Sequence, residues 1–264
     1  MLAADVLLPA NGTLAVVLAV MLAVAVTVAA LARLADGKER GYAGAIALAG
    51  LRAAVQLAAV SALIGWVVRA APLLLAFLVL MFAVAVRTAG RRVTDNRTWW
   101  WAALPIAAGV VPAVLTLLLT GLVPVSGIAL VPVTGILIGG ALTATVLAGR
   151  RALDELCVRH GEVEAGMALG LLPREARLEI ARPAASDALL PGLDQTRTVG
   201  LVTLPGAFVG MLLGGASPVQ AGVVQLFVLV ALMTVQAVAV AVALELVARG
   251  LLHRSLTLGG AEGE

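Results

Sequence analysis

The chain has very little of what a water-soluble protein uses to cover itself. Of its 264 residues, 12% are charged, about half the share of a soluble domain. Aromatic residues make up 3%. There is one cysteine, Cys157, which excludes an internal disulfide and a Cys-x-x-Cys site. There is one lysine, Lys38, set between Gly37 and Glu39. A phosphate-cradling P-loop needs Gly-Lys followed by Ser or Thr, so the chain has no such loop. Any ATP it uses, with its magnesium, must be bound by a partner, and no cofactor is expected on this chain itself. What remains is apolar: 62% of residues, with a mean hydropathy of +1.08. These figures exclude a soluble globule, a disordered chain and a nucleic-acid binder, and they make lipid the main solvent.

Seven stretches are long and apolar enough to cross a bilayer: Thr13–Ala32, Ala43–Val68, Pro72–Ala89, Trp99–Leu122, Val125–Ala148, Thr198–Gly215 and Pro218–Val247. Lipid offers the backbone no hydrogen-bond partners, so the spans are predicted to be helices. Continuous apolar runs argue against a barrel, whose strands alternate. The expectation is an all-α membrane bundle with a single transmembrane domain over residues 1–264. The first span lacks the short apolar core and basic flank of a cleavable signal peptide.

Charge placement sets an expected orientation. Sixteen of the eighteen basic residues fall in loops on one side. Arg69 is alone on the other, and Arg52 lies within the second span. The basic side is read as cytoplasmic. That puts the N-terminus outside and the C-terminus inside. The outer loops Arg69–Ala71, Leu122–Pro124 and Ala216–Ser217 hold a few residues each. The loop Gly149–Arg197 is by far the longest and is expected in the cytoplasm.

That loop reads as short helices. Ala152–His160 and Glu162–Gly170 favour helix, with Gly161 as a break, and Pro173 suits the first turn of another. Ala176, Ile180 and Pro183 are expected on one apolar face. Such a helix either lies on the membrane surface or docks a partner. The spacing Glu164-Ala165-Gly166, then Gly170, then Ile180 and Pro183 resembles the docking loop of ABC-importer permeases. In those proteins the loop seats in a groove of the ATPase. The resemblance implies coupling roles for Glu164, Ala165, Gly170, Arg174, Arg177 and Ile180.

A second resemblance covers nearly the whole length. Arg52-Ala53-Ala54-Val55-Gln56-Leu57, Ala188-Leu189-Leu190-Pro191 and above all Gly200-Leu201-Val202-Thr203-Leu204-Pro205-Gly206, followed by Gly210, Gly214 and Ser217-Pro218, resemble the Fet-type ABC permeases. These are described as bacterial iron exporters, with plant aluminium-tolerance permeases as relatives. Ala207-Phe208, Met211 and Gly139-Gly140 depart from that family pattern at positions that bear on cargo. The resemblance implies a bacterial inner-membrane permease, a soluble ABC ATPase partner and export of iron or another small solute.

Polar residues within the spans are the candidates for the path. Arg52 is expected about 15 Å into a core roughly 30 Å thick, with Gln56 one turn further on the same face. A buried arginine belongs against protein or a wet path. It opposes a bare cation, so iron would have to travel as a complex. Thr203, Pro205, Gly206, Met211 and Gln225 complete the expected path. Gly206, Gly210 and Gly214 form a smooth stripe suited to close packing or to a hinge. Gln225 and Gln236 share a face. No span interior holds His, Cys or Asp, so the metal ligands stay unknown. Asp154, Cys157, His160 and Glu164 are a weak candidate cluster in the loop.

Three functions follow in order. The first is a permease subunit that pairs with a second copy and two separate ATPases. The second is an ion-driven secondary transporter, for which the spans lack a buried carboxylate or histidine. The third, a membrane enzyme, lacks any paired acid, buried His or Ser-Lys set.

Overall fold

The computed structural model describes residues 12–35, 41–67, 70–121 and 127–254. Lys38, Arg40, Arg69, the outer loop at 122–124 and the first residues expected of the fifth span lie outside them. The described chain is helical, with two isolated bridges and no strand. It divides into two units, Met1–Arg69 and Ala70–Glu264.

The first unit holds α1 (Gly12–Leu31) and α2 (Tyr42–Val67). A turn through Arg33, at φ 50°, ends α1, and Tyr42 N–H donates to the Leu34 carbonyl at 2.8 Å. Within this unit α1 buries only Ala29 and α2 buries nothing. Apart from a few polar positions, Arg52 and Gln56 of α2 among them, both helices show apolar side chains on all sides, as a span bathed in lipid does.

The second unit holds α3 (Ala71–Val93), a 3-10 segment Arg97–Ala102, α4 (Ala103–Leu119), α5 (Gly127–Val158), α6 (His160–Ala168), α7 (Pro173–Ser186), a 3-10 turn Asp187–Leu189, α8 (Leu190–Thr198), α9 (Gly206–Leu213) and α10 (Pro218–Ala248). Its core lies along α5 and α10. Leu137, Ala141, Ala144 and Ala148 of α5 are buried, as are Leu229, Val235, Ala239 and Ala243 of α10. Small residues set the helix spacing. A Cβ on Gly109 of α4 would stand 2.8 Å from the Val235 carbonyl oxygen, and one on Gly140 of α5 2.2 Å from Leu232 Cδ1. Helices in lipid associate mainly through such close packing.

Among the described residues, six helical stretches are long and apolar enough to cross a membrane. The sixth expected span, Thr198–Gly215, is not one helix. Gly200 takes φ +83° and closes a turn, with its N–H on the Thr203 carbonyl at 2.8 Å. Pro205 does not kink a helix here. It stands at ψ 150° and caps the eight-residue α9. A proline has no N–H to continue an earlier helix but fits the start of a new one.

The helices expected in the long loop also shift. The stretch expected as Ala152–His160 is not a separate element, because α5 runs on to Val158. The break falls at Arg159 and not at Gly161, and Gly161 lies inside α6. α7 starts at Pro173 as predicted, and Glu175 accepts the Leu172 N–H at 3.0 Å. Its buried face is Ala176, Leu178, Ala181 and Ala185. Ile180 is half-buried and Pro183 exposed. Small alanines fit the narrow gap against α5 and α10 better than Ile and Pro do.

Candidate translocation and coupling site

One end of the second unit collects its charges, and they fasten α7 to the long helices. Arg174 grips Glu245 of α10 with both ends of its fork, Nε and Nη2 each at 2.7 Å from a carboxylate oxygen. Arg249 joins the same carboxylate at 2.5 Å. Arg177 Nη1 donates to the Ala248 carbonyl at 3.2 Å. Arg151 near the end of α5 pairs with Asp187 at 2.9 Å. Arg254 binds Asp154, and its Nε donates to the Val93 carbonyl at 3.0 Å. The Glu245 carboxylate holds the Arg174 guanidinium more firmly charged than usual. Bidentate pairs of this kind fix geometry as well as contributing energy.

Trp100 and Trp101 stack at 4.2 Å beside this end, and the Arg91 guanidinium lies 5.3 Å from the Trp99 ring. Tryptophans are enriched in a belt where lipid meets water. Trp101 and Leu104 line a shallow groove with Val242, Glu245 and Arg249 of α10.

The coupling residues expected from the sequence divide into two groups. Glu164, Ala165 and Gly170 are exposed on α6 and the turn after it. Gly170 takes φ +100°, a conformation suited to glycine. Arg174 and Arg177 turn inward and form the clamp. Sequence reasoning missed the leucines around Gly170: Leu169 is 88% exposed and Leu172 64%. An apolar Leu-Gly-Leu-Leu run between two charged helices is the signal that could have found them. At the start of α6, Arg159 binds Glu162 and Glu155. The Arg159 hydrogen bonds hold the Glu162 carboxyl below its ordinary value of 4.5. This lock is therefore complete above that pH and fades as pH falls through the lowered value. Helicity of α6 is expected to fray only in stronger acid, which amide exchange across the titration checks.

The path residues also divide. Arg52 and Gln56 lie on exposed faces of α2, in the first unit. Thr203, Pro205, Gly206 and Met211 lie at the break before α9 and on α9, in the second. Among the described residues, nothing packs on the glycine stripe at Gly206 and Gly210. A Cβ at Gly206 or Gly210 meets nothing within 4 Å. Gln225 is 5% exposed, and its Oε1 has no hydrogen-bond partner among the described residues. Gln236 is also buried, and a Cβ on Gly192 of α8 would stand 2.1 Å from its Oε1. No group of three His, Cys, Asp or Glu that could hold a metal occurs among the described residues. Asp154 of the candidate cluster is bound to Arg254 instead.

Comparison with known proteins agrees with a membrane permease. A family model described as "Uncharacterised protein family (UPF0014)" matches residues 13–252. Protein ALUMINUM SENSITIVE 3 of Arabidopsis thaliana is 37% identical over 166 residues, 62% of this chain and 58% of that protein. The match therefore spans a little over half of that relative. UPF0014 membrane protein STAR2 of Oryza sativa subsp. japonica is 34% identical over 197 residues, 73% of this chain and 69% of STAR2. Probable iron export permease protein FetB of Escherichia coli (strain K12) is 30% identical over 119 residues, 45% of each chain. No solved structure matches the chain.

Proposed function

The chain belongs to the UPF0014 family of membrane proteins, the family of the FetB-like permeases, and from that premise we propose that it is the membrane subunit of an ATP-driven exporter powered by a separate soluble ATPase. The observation that carries this reading is the clamp. α7 is tied by Arg174, Arg177 and Glu245 to the end of the 31-residue α10. Beside it α6 and the Gly170 turn offer exposed leucines within a charged rim. A small apolar face with a polar rim is what a partner's groove takes up. A push on α6 reaches the membrane through α7 and α10, because these contacts leave little slack.

In this reading the charged end is cytoplasmic, and the discontinuous segment 187–217 completes a seventh crossing. The N-terminus is then outside and the C-terminus inside, in the plasma membrane of a bacterium. Two copies would pair, with one ATPase beneath each. The unpacked stripe of Gly206 and Gly210 suits that pairing or a moving contact. The cargo proposed from the FetB likeness is iron, carried as a complex or with an anion, because Arg52 opposes a bare cation. The chain itself does no covalent chemistry.

The test is purification of the tagged chain with its native partners. A P-loop ATPase with ATP hydrolysis is expected to travel with it. Leu169→Glu is expected to release that ATPase while the helical content stays unchanged. A chain that brings no ATPase, and whose transport ignores ATP depletion, contradicts the reading. Arg52→Gln is expected to assemble normally and to lower transport-coupled ATP turnover. Normal turnover in that variant, with poorer assembly, would make Arg52 a packing residue.

A further inference from the structure

We propose that Asp194, Gln195 and Arg197 of α8 line a water-filled part of the translocation path inside the membrane. This inference rests on the transport reading for the word path, but the depth and wetness of α8 stand apart from it.

Sequence pattern puts these residues at the edge of a cytoplasmic loop, because they are polar and follow a charged stretch. The packing puts them deeper. Gly192 of α8 lies against the Gln236 side chain of α10. Gln236 is nine residues before Glu245, the carboxylate at the charged end, or about 13 Å along the helix. Two other helices give the same level. Gly140 of α5 packs against Leu232 and Gln236, about 15 Å along the helix from Arg150. Gly109 of α4 packs against Val235, roughly 12 Å from Trp101 of the aromatic belt. All three distances approach half the thickness of a hydrocarbon core of about 30 Å. The direction is fixed as well. Asp187 pairs with Arg151 near the charged end, and five residues later the chain is beside Gln236. α8 therefore runs inward, and its last residues lie no nearer the charged end than Gly192.

At that depth α8 carries a polar surface. Asp194 and Arg197 form an ion pair at 3.5 Å, with side chains 67% and 68% exposed. Gln195 is exposed too. Charged side chains within a membrane segment face protein or water, not lipid. Among the described residues, neither charged side chain has another ion-pair partner. The backbone supports the same reading. α8 ends at Thr198, and irregular chain continues to α9 at Gly206. Non-helical backbone at membrane depth persists only where protein buries it or it borders a wet cavity. Paired half-helices of this kind mark the solute site in other transporters. A carboxylate, a guanidinium and an amide side by side suit a solute rich in hydrogen-bonding groups, and they disfavour an apolar one.

The test uses the full chain in membrane vesicles, with Cys157→Ser to remove the native thiol. Gln195→Cys is placed in that background, and Glu179→Cys on exposed α7 is the surface comparison. Two thiol reagents are used: a small charged methanethiosulfonate, and a maleimide carried on a long polyethylene glycol chain. Glu179→Cys is expected to react with both. Gln195→Cys is expected to react with the small reagent and to lose the polymer reaction. Reaction of Gln195→Cys with both reagents would put α8 on the surface. Reaction with neither would bury it in lipid or protein. Either result overturns the proposal. Arg197→Cys serves if Gln195→Cys does not accumulate. The pattern does not depend on an ATPase, so a failed transport reading and a failed α8 assignment are told apart.

Discussion

Gly90→Ala is expected to destabilise the protein by about 3 kcal/mol, the upper end for overpacking a rigid site. Intrinsic propensity says the opposite. Alanine improves on glycine in a helix interior by at most about 1 kcal/mol. Sterics decides, because a Cβ at Gly90 would stand 2.1 Å from the Trp99 carbonyl oxygen and 2.8 Å from its carbon. Those are backbone atoms at the start of the 3-10 segment, so they cannot swing aside. Relief requires moving α3 away from Trp99–Trp101 and disturbing the aromatic belt. Gly50→Ala is the informative contrast. Its Cβ would meet only the Leu22 side chain, at 2.7 Å, and a leucine can change rotamer. Gly139→Ala meets nothing within 4 Å and is expected to be neutral or slightly stabilising. Thermal unfolding in detergent, run on the three variants together, gives the order Gly90→Ala far below Gly50→Ala, with Gly139→Ala at or above the parent. Equal midpoints would show that α3 and Trp99 do not meet in this way.

Glu245→Gln is expected to uncouple the machine while leaving it assembled. One carboxylate holds two guanidiniums, from Arg174 on α7 and Arg249 on α10. Its side chain is 29% exposed, while those of Arg174 and Arg249 are 47% and 59% exposed. Hydrogen bonds to charged groups contribute about 1.5–3 kcal/mol when buried. Solvent at the half-exposed arginines screens the pair well below that. That is too little to unfold the bundle but enough to loosen α7 from α10. The expected readout is ATP hydrolysis that continues while transport falls. Arg174→Gln is expected to do the same more weakly. The double variant is expected to cost no more than Glu245→Gln alone, since the shared pair is already gone. Additive losses would show that Arg174 and Glu245 act separately. High salt is expected to weaken the parent's coupling and to change the Glu245→Gln variant little.

Much of the fold was legible because its signal is composition. Six of the seven long apolar runs appear as helices close to their expected places, the fourth opening with a 3-10 segment and the fifth running on to Val158. The first run is too apolar to be anything else in lipid. The start of α7 at Pro173 was legible for a local reason, since proline fits the first turn. The continuous helix expected through Leu204-Pro205-Gly206 was misjudged for an instructive one. Average hydropathy over eighteen residues counts Leu201, Val202 and Leu204 as span, but a turn through Gly200 and the cap at Pro205 depend on backbone angles that hydropathy does not see. Asp194, Gln195 and Arg197 read as solvent in the sequence, and the contact of Gly192 with Gln236, 44 residues away in sequence, is the observation behind the deeper position proposed for them. The clamp was half legible. Arg174 and Arg177 stood out by resemblance, but their partners lie 71 residues further on. Nothing in the spacing of the loop points to Glu245.

The docking surface and the coupling role of the clamp both require the charged end to face the compartment that holds ATP. Cys157, the sole cysteine, is exposed near that end of α5, so the unaltered chain carries its own reporter. A membrane-impermeant maleimide is expected to leave Cys157 untouched in intact cells and to label it in inverted vesicles. Labelling in intact cells, with none in inverted vesicles, would place the charged end outside and contradict the account.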